Sequence, residues 1–225
     1  MRFGILLCFV LCGCFTHTRS LTKEVKTNFT NRLEGGNTGL SKKININGIY
    51  RYWHNNDIGI PEKIYNTKDT FFLDMIFYDD GTFIWNLWPD HKFTNYEQYF
   101  RSVISKGKKD LFYEAHWWGV YSLAGDTIKT QYIMHASPWT PWYTGQNWFV
   151  IKGPSTLQLI YQGEIEDKEP ILLDPYVQRT SLAHFIPQKE IPPSYGWIKD
   201  ERFFWRYEID WQQYQISIGS PPLHK

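Results

Sequence analysis

The thiols of this chain, Cys8, Cys12 and Cys14, all fall within its first 14 residues, and the last of them closes the run Leu11-Cys12-Gly13-Cys14. Arg2 and the amino terminus form a small positive n-region, and Phe3 to Leu11 form an apolar h-region of export length. That run is too short to cross a bilayer core of about 30 Å as a helix. No cysteine follows Cys14, so the remainder of the chain has no disulfide, no thiol nucleophile and no cysteine metal site.

Other reactive side chains are sparse in pattern. His116 and His135 fall on the same face of a hairpin and could meet across it, but a metal site needs a third ligand that the pattern does not supply. The chain carries no His-Glu-x-x-His, no Gly-x-Ser-x-Gly and no phosphate-cradling glycine loop. Glu164, Glu166, Asp167 and Glu169 crowd a polar connection without a matched acid and base. Asp79-Asp80-Gly81 lacks the spaced oxygen ligands of a calcium loop and reads as a turn. The expectation is a protein without catalytic residues, metal or cofactor; a hydrolase whose site is assembled from distant residues stays open as a third reading.

The Leu11 to Cys14 run resembles the lipobox of bacterial lipoproteins. The resemblance implies a signal peptide over residues 1–13, cleavage before Cys14, and a lipid on Cys14 that holds the protein to a membrane. An ordinary secretory signal or an uncleaved anchor are the alternatives. No acidic run follows Cys14, which points to the periplasmic side of a bacterial outer membrane. Removing residues 1–13 takes away Arg2 and no acid, so a formal charge of +1 falls to zero. Between Phe15 and Asn47 six basic residues stand against Glu24 and Glu34. Rich in Asn, Thr, Lys and Gly, residues 14–47 read as a flexible basic tether beside the lipid. Without a basic face on the rest of the chain, no nucleic-acid partner is expected.

The elements that would position any site begin at Gly48, where apolar residues start to alternate and Gly48 to Trp53 reads as a strand. Three hairpins follow. Thr70–Tyr78 and Thr82–Trp88 flank Asp79-Asp80-Gly81; His116–Leu123 and Thr127–Ala136 flank Ala124-Gly125-Asp126; Trp148–Ile151 and Thr156–Tyr161 flank Lys152 to Ser155. Between the first two hairpins Phe93, Tyr96, Phe100, Val103 and Ile104 recur at helical spacing, before the breaker at Gly107. Residues 164–225 predict one or two closing strands and a short helix. The whole of 48–225 reads as one domain: mainly β, an antiparallel up-and-down barrel with a surface helix and an irregular, aromatic-rich C-terminal segment.

Pairing parity places Trp117, Tyr121, Leu123, Ile128, Tyr132 and Met134 on the inner face. His116, Trp118, Val120, Lys129, Gln131, Ile133 and His135 fall on the outer one. In the first hairpin Leu73, Met75, Phe77, Ile84 and Trp88 share one face, and Phe72, Ile76, Tyr78, Phe83, Trp85 and Leu87 the other. Both faces are apolar, so the helix, the C-terminal segment or a second molecule must cover one of them. The chain carries 11 Trp, 15 Tyr and 15 Phe, enough ring area to fill an interior or to grip a ligand. The segment from Pro138 to Trp148, with Trp139, Trp142, Tyr143 and Trp148 among hydrogen-bonding residues, reads as a loop at a barrel mouth.

In order, Gly48-Ile49-Tyr50, Asp80-Gly81-Thr82-Phe83, Trp118-Gly119-Val120-Tyr121, Gly125-Asp126-Thr127-Ile128 and Trp148 to Ile151 resemble the lipocalin-like lipoproteins of bacteria. Tyr50 stands where true lipocalins carry Trp. The resemblance implies a calycin-type barrel of eight or so strands with a cavity, and binding rather than catalysis. The expected ligand is small and apolar or amphipathic, held by Trp117, Tyr121, Tyr132, Trp139, Trp142, Tyr143 and Trp148. The alternative is a barrel filled by its own side chains, serving structure or protein interaction, with the Phe71–Trp88 hairpin as a partner or self-association surface.

Overall fold

A computed structural model of the chain describes residues 21–53, 72–87, 92–134, 142–167 and 170–219. Cys14, Phe71, Trp88, His135 and Trp139 lie outside the described residues. Eight antiparallel strands, each bonded to its sequence neighbours, close into a barrel: β1 (Gly48–Trp53), β2 (Phe72–Phe77), β3 (Thr82–Leu87), β4 (Trp117–Ala124), β5 (Thr127–Met134), β6 (Tyr143–Gly153), β7 (Thr156–Gly163) and β8 (Leu182–Pro187). Closure leaves no free sheet edge, which suits strands this rich in aromatic and β-branched residues. β8 joins β7 to β1 and is the one closing strand among the described residues of the C-terminal region.

The β2–β3 turn sets which side chains face inward. Tyr78 N–H donates to the Thr82 carbonyl (3.0 Å), so Asp79-Asp80-Gly81 is a three-residue turn, and Gly81 takes the left-handed φ of +93°. Phe77 therefore stands opposite Phe83 and Ile76 opposite Ile84. Leu73, Met75, Phe77, Phe83 and Trp85 point into the barrel, while Ile76, Tyr78, Ile84 and Leu87 pack outside. This corrects the sequence parity, which put Ile84 with Phe77 and Leu87 with Trp85: one residue of register flips every side chain of a strand. A bulge adds the rest. From Asp74 to Ile76 the register shifts against Ile84 to Leu87, and Asn86 absorbs the extra residue at φ +56°, a conformation Asn tolerates.

The outer face of β2 to β5 is not solvent-facing. Trp118, Val120 and Ile133 point outward as expected, into a second apolar cluster with Ile76 and Ile84. Three segments cover it. The first is helix α2 (Tyr96–Lys106), capped by the Asn95 carboxamide oxygen on Gln98 N–H, which buries Tyr99, Phe100 and Val103. The second is the C-terminal stretch carrying Trp197, Ile198, Phe204 and Trp205, followed by α5 (Glu208–Ser217) with Tyr214. Two shorter helices, α3 (Phe112–Ala115) and α4 (Pro175–Thr180), fill connections. Among the described residues the hairpin's outer apolar side chains Ile76, Tyr78, Ile84 and Leu87 are thus buried by the chain itself.

The third covering segment is residues 21–47, and the reading of these as a flexible tether does not hold. Helix α1 (Lys23–Asn28) starts at the Thr22 hydroxyl cap, and Leu21, Val25, Phe29 and Leu33 are buried at four-residue spacing, Phe29 to 0% exposure. Leu33 exchanges backbone bonds of 2.8 Å with Phe204 and Arg206. Farther on, Leu40 and Ile44 plug one end of the barrel and join the interior cluster. The segment is stitched to all three turns at that end: Thr38 N–H to the Asp79 carbonyl (2.6 Å), Lys43 to Asp126 (2.7 Å) and Asn45 N–H to the Pro154 carbonyl (2.8 Å). Burying several large apolar residues at roughly 1.5–3 kcal/mol each outweighs the basic, polar character that suggested a linker.

Candidate functional site

The barrel interior gathers Trp117, Tyr121 and Tyr132 as the sequence parity required, and there they pack ring against ring with their neighbours. Tyr132 lies between Trp85 and Trp117 in a three-ring stack, with centroids 5.6 and 5.9 Å away and interplanar angles of 24° and 16°. Below the stack Phe77 contacts Phe83, Tyr121 and Phe149 at 5.7 to 6.2 Å. Tyr132 is 2% exposed and Phe149 is fully buried. Offset and edge-on contacts at such distances are the packing of a core. Tyr121 is further fixed by its hydroxyl, which donates to the Tyr78 carbonyl (2.6 Å) and bonds the Thr38 hydroxyl (2.7 Å). Burial pushes the Tyr121 and Tyr132 hydroxyls well above the usual tyrosine range, so both stay neutral donors.

At the opposite end Tyr143 is 43% exposed and its ring sits 6.2 Å from Trp117. On the same interior face Asn147 is fully buried, and its carboxamide faces the Tyr132 hydroxyl without a well-formed hydrogen bond. Trp142 and Trp148, two other members of the expected mouth loop, do not meet it there. Tyr143 to Trp148 belong to β6, whose pairing with β5 runs unbroken from Met134↔Tyr143 to Thr127↔Val150. Trp148 faces outward between Tyr161 (5.1 Å) and the Lys129 ammonium, which lies 4.1 Å above its ring. Trp142 packs on Trp197 (5.7 Å) in the outer cluster. Prolines at 138 and 141 suggested a loop, yet the strand starts two residues after the second, where alternation resumes.

His116 turns out to be a core residue. It is 3% exposed, accepts or donates at Nε2 with the Tyr99 hydroxyl (3.1 Å), and packs edge-on to Phe112 at 4.8 Å. Burial drives its pKa down from 6.5 to about 4, against a small opposing pull from Asp110. Among the described residues no group of three His, Cys, Asp or Glu is placed to hold a metal.

Two polar clusters escaped the sequence reading because their members lie far apart in the chain. Arg51 grips Asp74 with two bonds of 2.8 Å, and the Tyr96 hydroxyl donates to the same carboxylate (2.7 Å), tying α2 to β1 and β2. Asp80 accepts from Thr82 N–H (3.0 Å), the Thr82 hydroxyl (2.6 Å), the Lys199 ammonium (2.8 Å) and the Ser194 hydroxyl. Burial works to raise the Asp80 carboxyl, but the Lys199 charge and these hydrogen bonds outweigh it and hold it low. Ser194 and Lys199 stand 3.3 Å apart, the pairing of a serine nucleophile with an amine base. Here the hydroxyl proton and the ammonium both point to Asp80, so the trio acts as a tie between the β2–β3 turn and the C-terminal segment.

Beside this tie a groove of about 470 Å³ opens between residues 30–38, the Asp80-Gly81 turn and the Tyr121 to Leu123 stretch, with Arg206 on its rim. No protein-family model, curated protein or solved structure matches this chain. The closed, eight-stranded, up-and-down barrel is compatible with a lipocalin-like fold.

Proposed function

We propose that this protein is a lipid-anchored, non-catalytic lipoprotein of the bacterial outer membrane, facing the periplasm, whose barrel is filled by its own side chains and which works through its outer surface as a binding or interaction scaffold. The observation that carries the reading is the Trp85–Tyr132–Trp117 stack, continued by Phe77, Phe83 and Phe149, which occupies the space a lipocalin-type ligand would need. The anchor is supported by the Leu11-Cys12-Gly13-Cys14 run alone. With residues 21–47 packed on the barrel, only the residues between Cys14 and Leu21 would separate lipid and domain. At about 3.5 Å per residue these reach roughly 25 Å, so the domain would sit against the membrane.

A second reading, an apolar or amphipathic ligand held at the open end, is favoured by Asn147. Its buried carboxamide has only the Tyr132 hydroxyl opposite it and no well-formed bond, and such a group is the kind a ligand's polar end would satisfy. Native mass spectrometry on the protein purified from its own host separates the two, since the filled-barrel reading expects the mass of the acylated chain alone. A retained apolar molecule would favour the second. For the anchor, Cys14→Ser should abolish fatty-acid labelling and move the protein to the soluble fraction, because a few basic residues give only weak, salt-sensitive attachment. Label kept by the variant would refute lipidation at Cys14.

A further inference from the structure

The groove beside the β2–β3 turn has an unbalanced charge pattern. Each of the two carboxylates that line it is already matched to a cation: Glu34 to Arg206 at 2.7 Å, and Asp80 to Lys199 at 2.8 Å. Arg32, which also lines the groove, has no carboxylate partner among the described residues. One of its terminal nitrogens donates to the Phe29 and Asn31 carbonyls, and its guanidinium lies 4.3 Å over the Phe203 ring. These contacts fix the plane of the group and leave its other edge unpaired. Burial and the neighbouring charge of Arg206 both disfavour the Arg32 cation, so an anion placed between the two would relieve the repulsion.

We propose that this groove binds a small organic anion, with Arg32 and Arg206 as its grip. A planar guanidinium held at one edge presents the remaining donors in a fork that matches the two oxygens of a carboxylate or phosphate. The volume of about 470 Å³ is that of a small-molecule pocket and leaves room beyond the anionic group. The rest of the lining mixes apolar surface from Leu33 and Leu123 with polar groups: the Thr30 hydroxyl can accept a bond, and the Asn37 carboxamide has no intramolecular hydrogen bond among the described residues, which favours a hydroxylated ligand such as a sugar acid or sugar phosphate. The site is independent of what the barrel interior holds and of whether Cys14 is acylated.

Isothermal titration of the full chain in neutral detergent with glucuronate, glucose 6-phosphate and glucose tests this. One or both anions should bind, the carboxylate and phosphate arms identifying the preferred group, while glucose should not. Arg32→Gln should weaken binding about tenfold or more, the cost of a lost charge-assisted pair. Arg206→Gln should weaken it less. Glu34→Gln should strengthen it several-fold, because it frees Arg206 from a competing carboxylate; a purely structural role for these residues gives no such gain. Should Arg32→Gln impair folding, the opposite signs of the Arg206 and Glu34 variants still decide. Binding of neither anion at millimolar concentration, equal binding of glucose, or affinity unmoved by Arg206→Gln and Glu34→Gln would overturn the proposal.

Discussion

His116 makes the stability of this domain depend on pH in a defined window. In the fold its pKa stands near 4, against 6.5 for a free imidazole. The buried ring is therefore neutral where the unfolded chain's ring takes up a proton. Stability is fully present above pH 6.5, is lost as pH falls toward 4, and levels off below, where both states are protonated. A depression of this size corresponds to about 3 kcal/mol over the whole window and about 2 kcal/mol between pH 7 and pH 5. The carboxylates held low, Asp80 and Asp110, add their own losses nearer and below pH 4, so the range from 6.5 to 5 belongs chiefly to the histidine. Urea unfolding at pH 7, 6 and 5 on the parent and on His116→Gln reads the effect directly. The variant, neutral at every pH and able to keep a bond to Tyr99, should be less stable at pH 7 yet lose about 2 kcal/mol less on going to pH 5. An equal pH slope in the two proteins would refute the assignment of His116 as a buried neutral imidazole.

Phe29→Ala should destabilise the domain by about 3–5 kcal/mol, seen as a lower melting temperature, because it empties a fully buried site between Phe203 and Phe204. An unchanged melt would mean that residues 21–47 are a tether after all. Gly81→Val should cost about 1 kcal/mol or more, since a β-branched residue is strained at φ +93°. An added Cβ meets Leu33 and Thr38 at ordinary contact distances of 3.4 and 3.5 Å, so Gly81→Ala, which lacks the γ-carbons of valine, shows how much of the loss reports the turn and not a clash. Calorimetry showing no shift would contradict the turn conformation.

Much of the architecture was written locally. Alternation from Gly48, three turns rich in Gly, Asp and Pro, and the helical spacing of Tyr96, Phe100 and Val103 fix strands and helix through contacts between near neighbours, and the barrel follows from consecutive hairpins. The inward set Trp117, Tyr121, Ile128 and Tyr132 was legible for the same reason, since a tight turn at Gly125-Asp126 fixes parity on both sides of it. The four-residue spacing of Leu21, Val25, Phe29 and Leu33 was also present in the sequence, but lay hidden among Asn, Thr and Lys, whose abundance resembles a linker.

Other outcomes needed the tertiary structure. A three-residue turn and a bulge at Asn86 decide the faces of β3, and neither is visible in a run where both faces are apolar. Whether Tyr132 lines a cavity or fills it depends on Trp85 and Trp117 approaching from two other strands, a matter of shape that residue type leaves open. The charged partners of Arg51 and Asp80 come from segments 23 and 119 residues away, so their pairing is set by how the chain's ends wrap the barrel. The sequence determines which groups exist and which neighbours alternate. Only closure of the barrel and the wrapping of residues 21–47 and 190–217 around it determine which charges are matched and which, like that of Arg32, are left facing a groove.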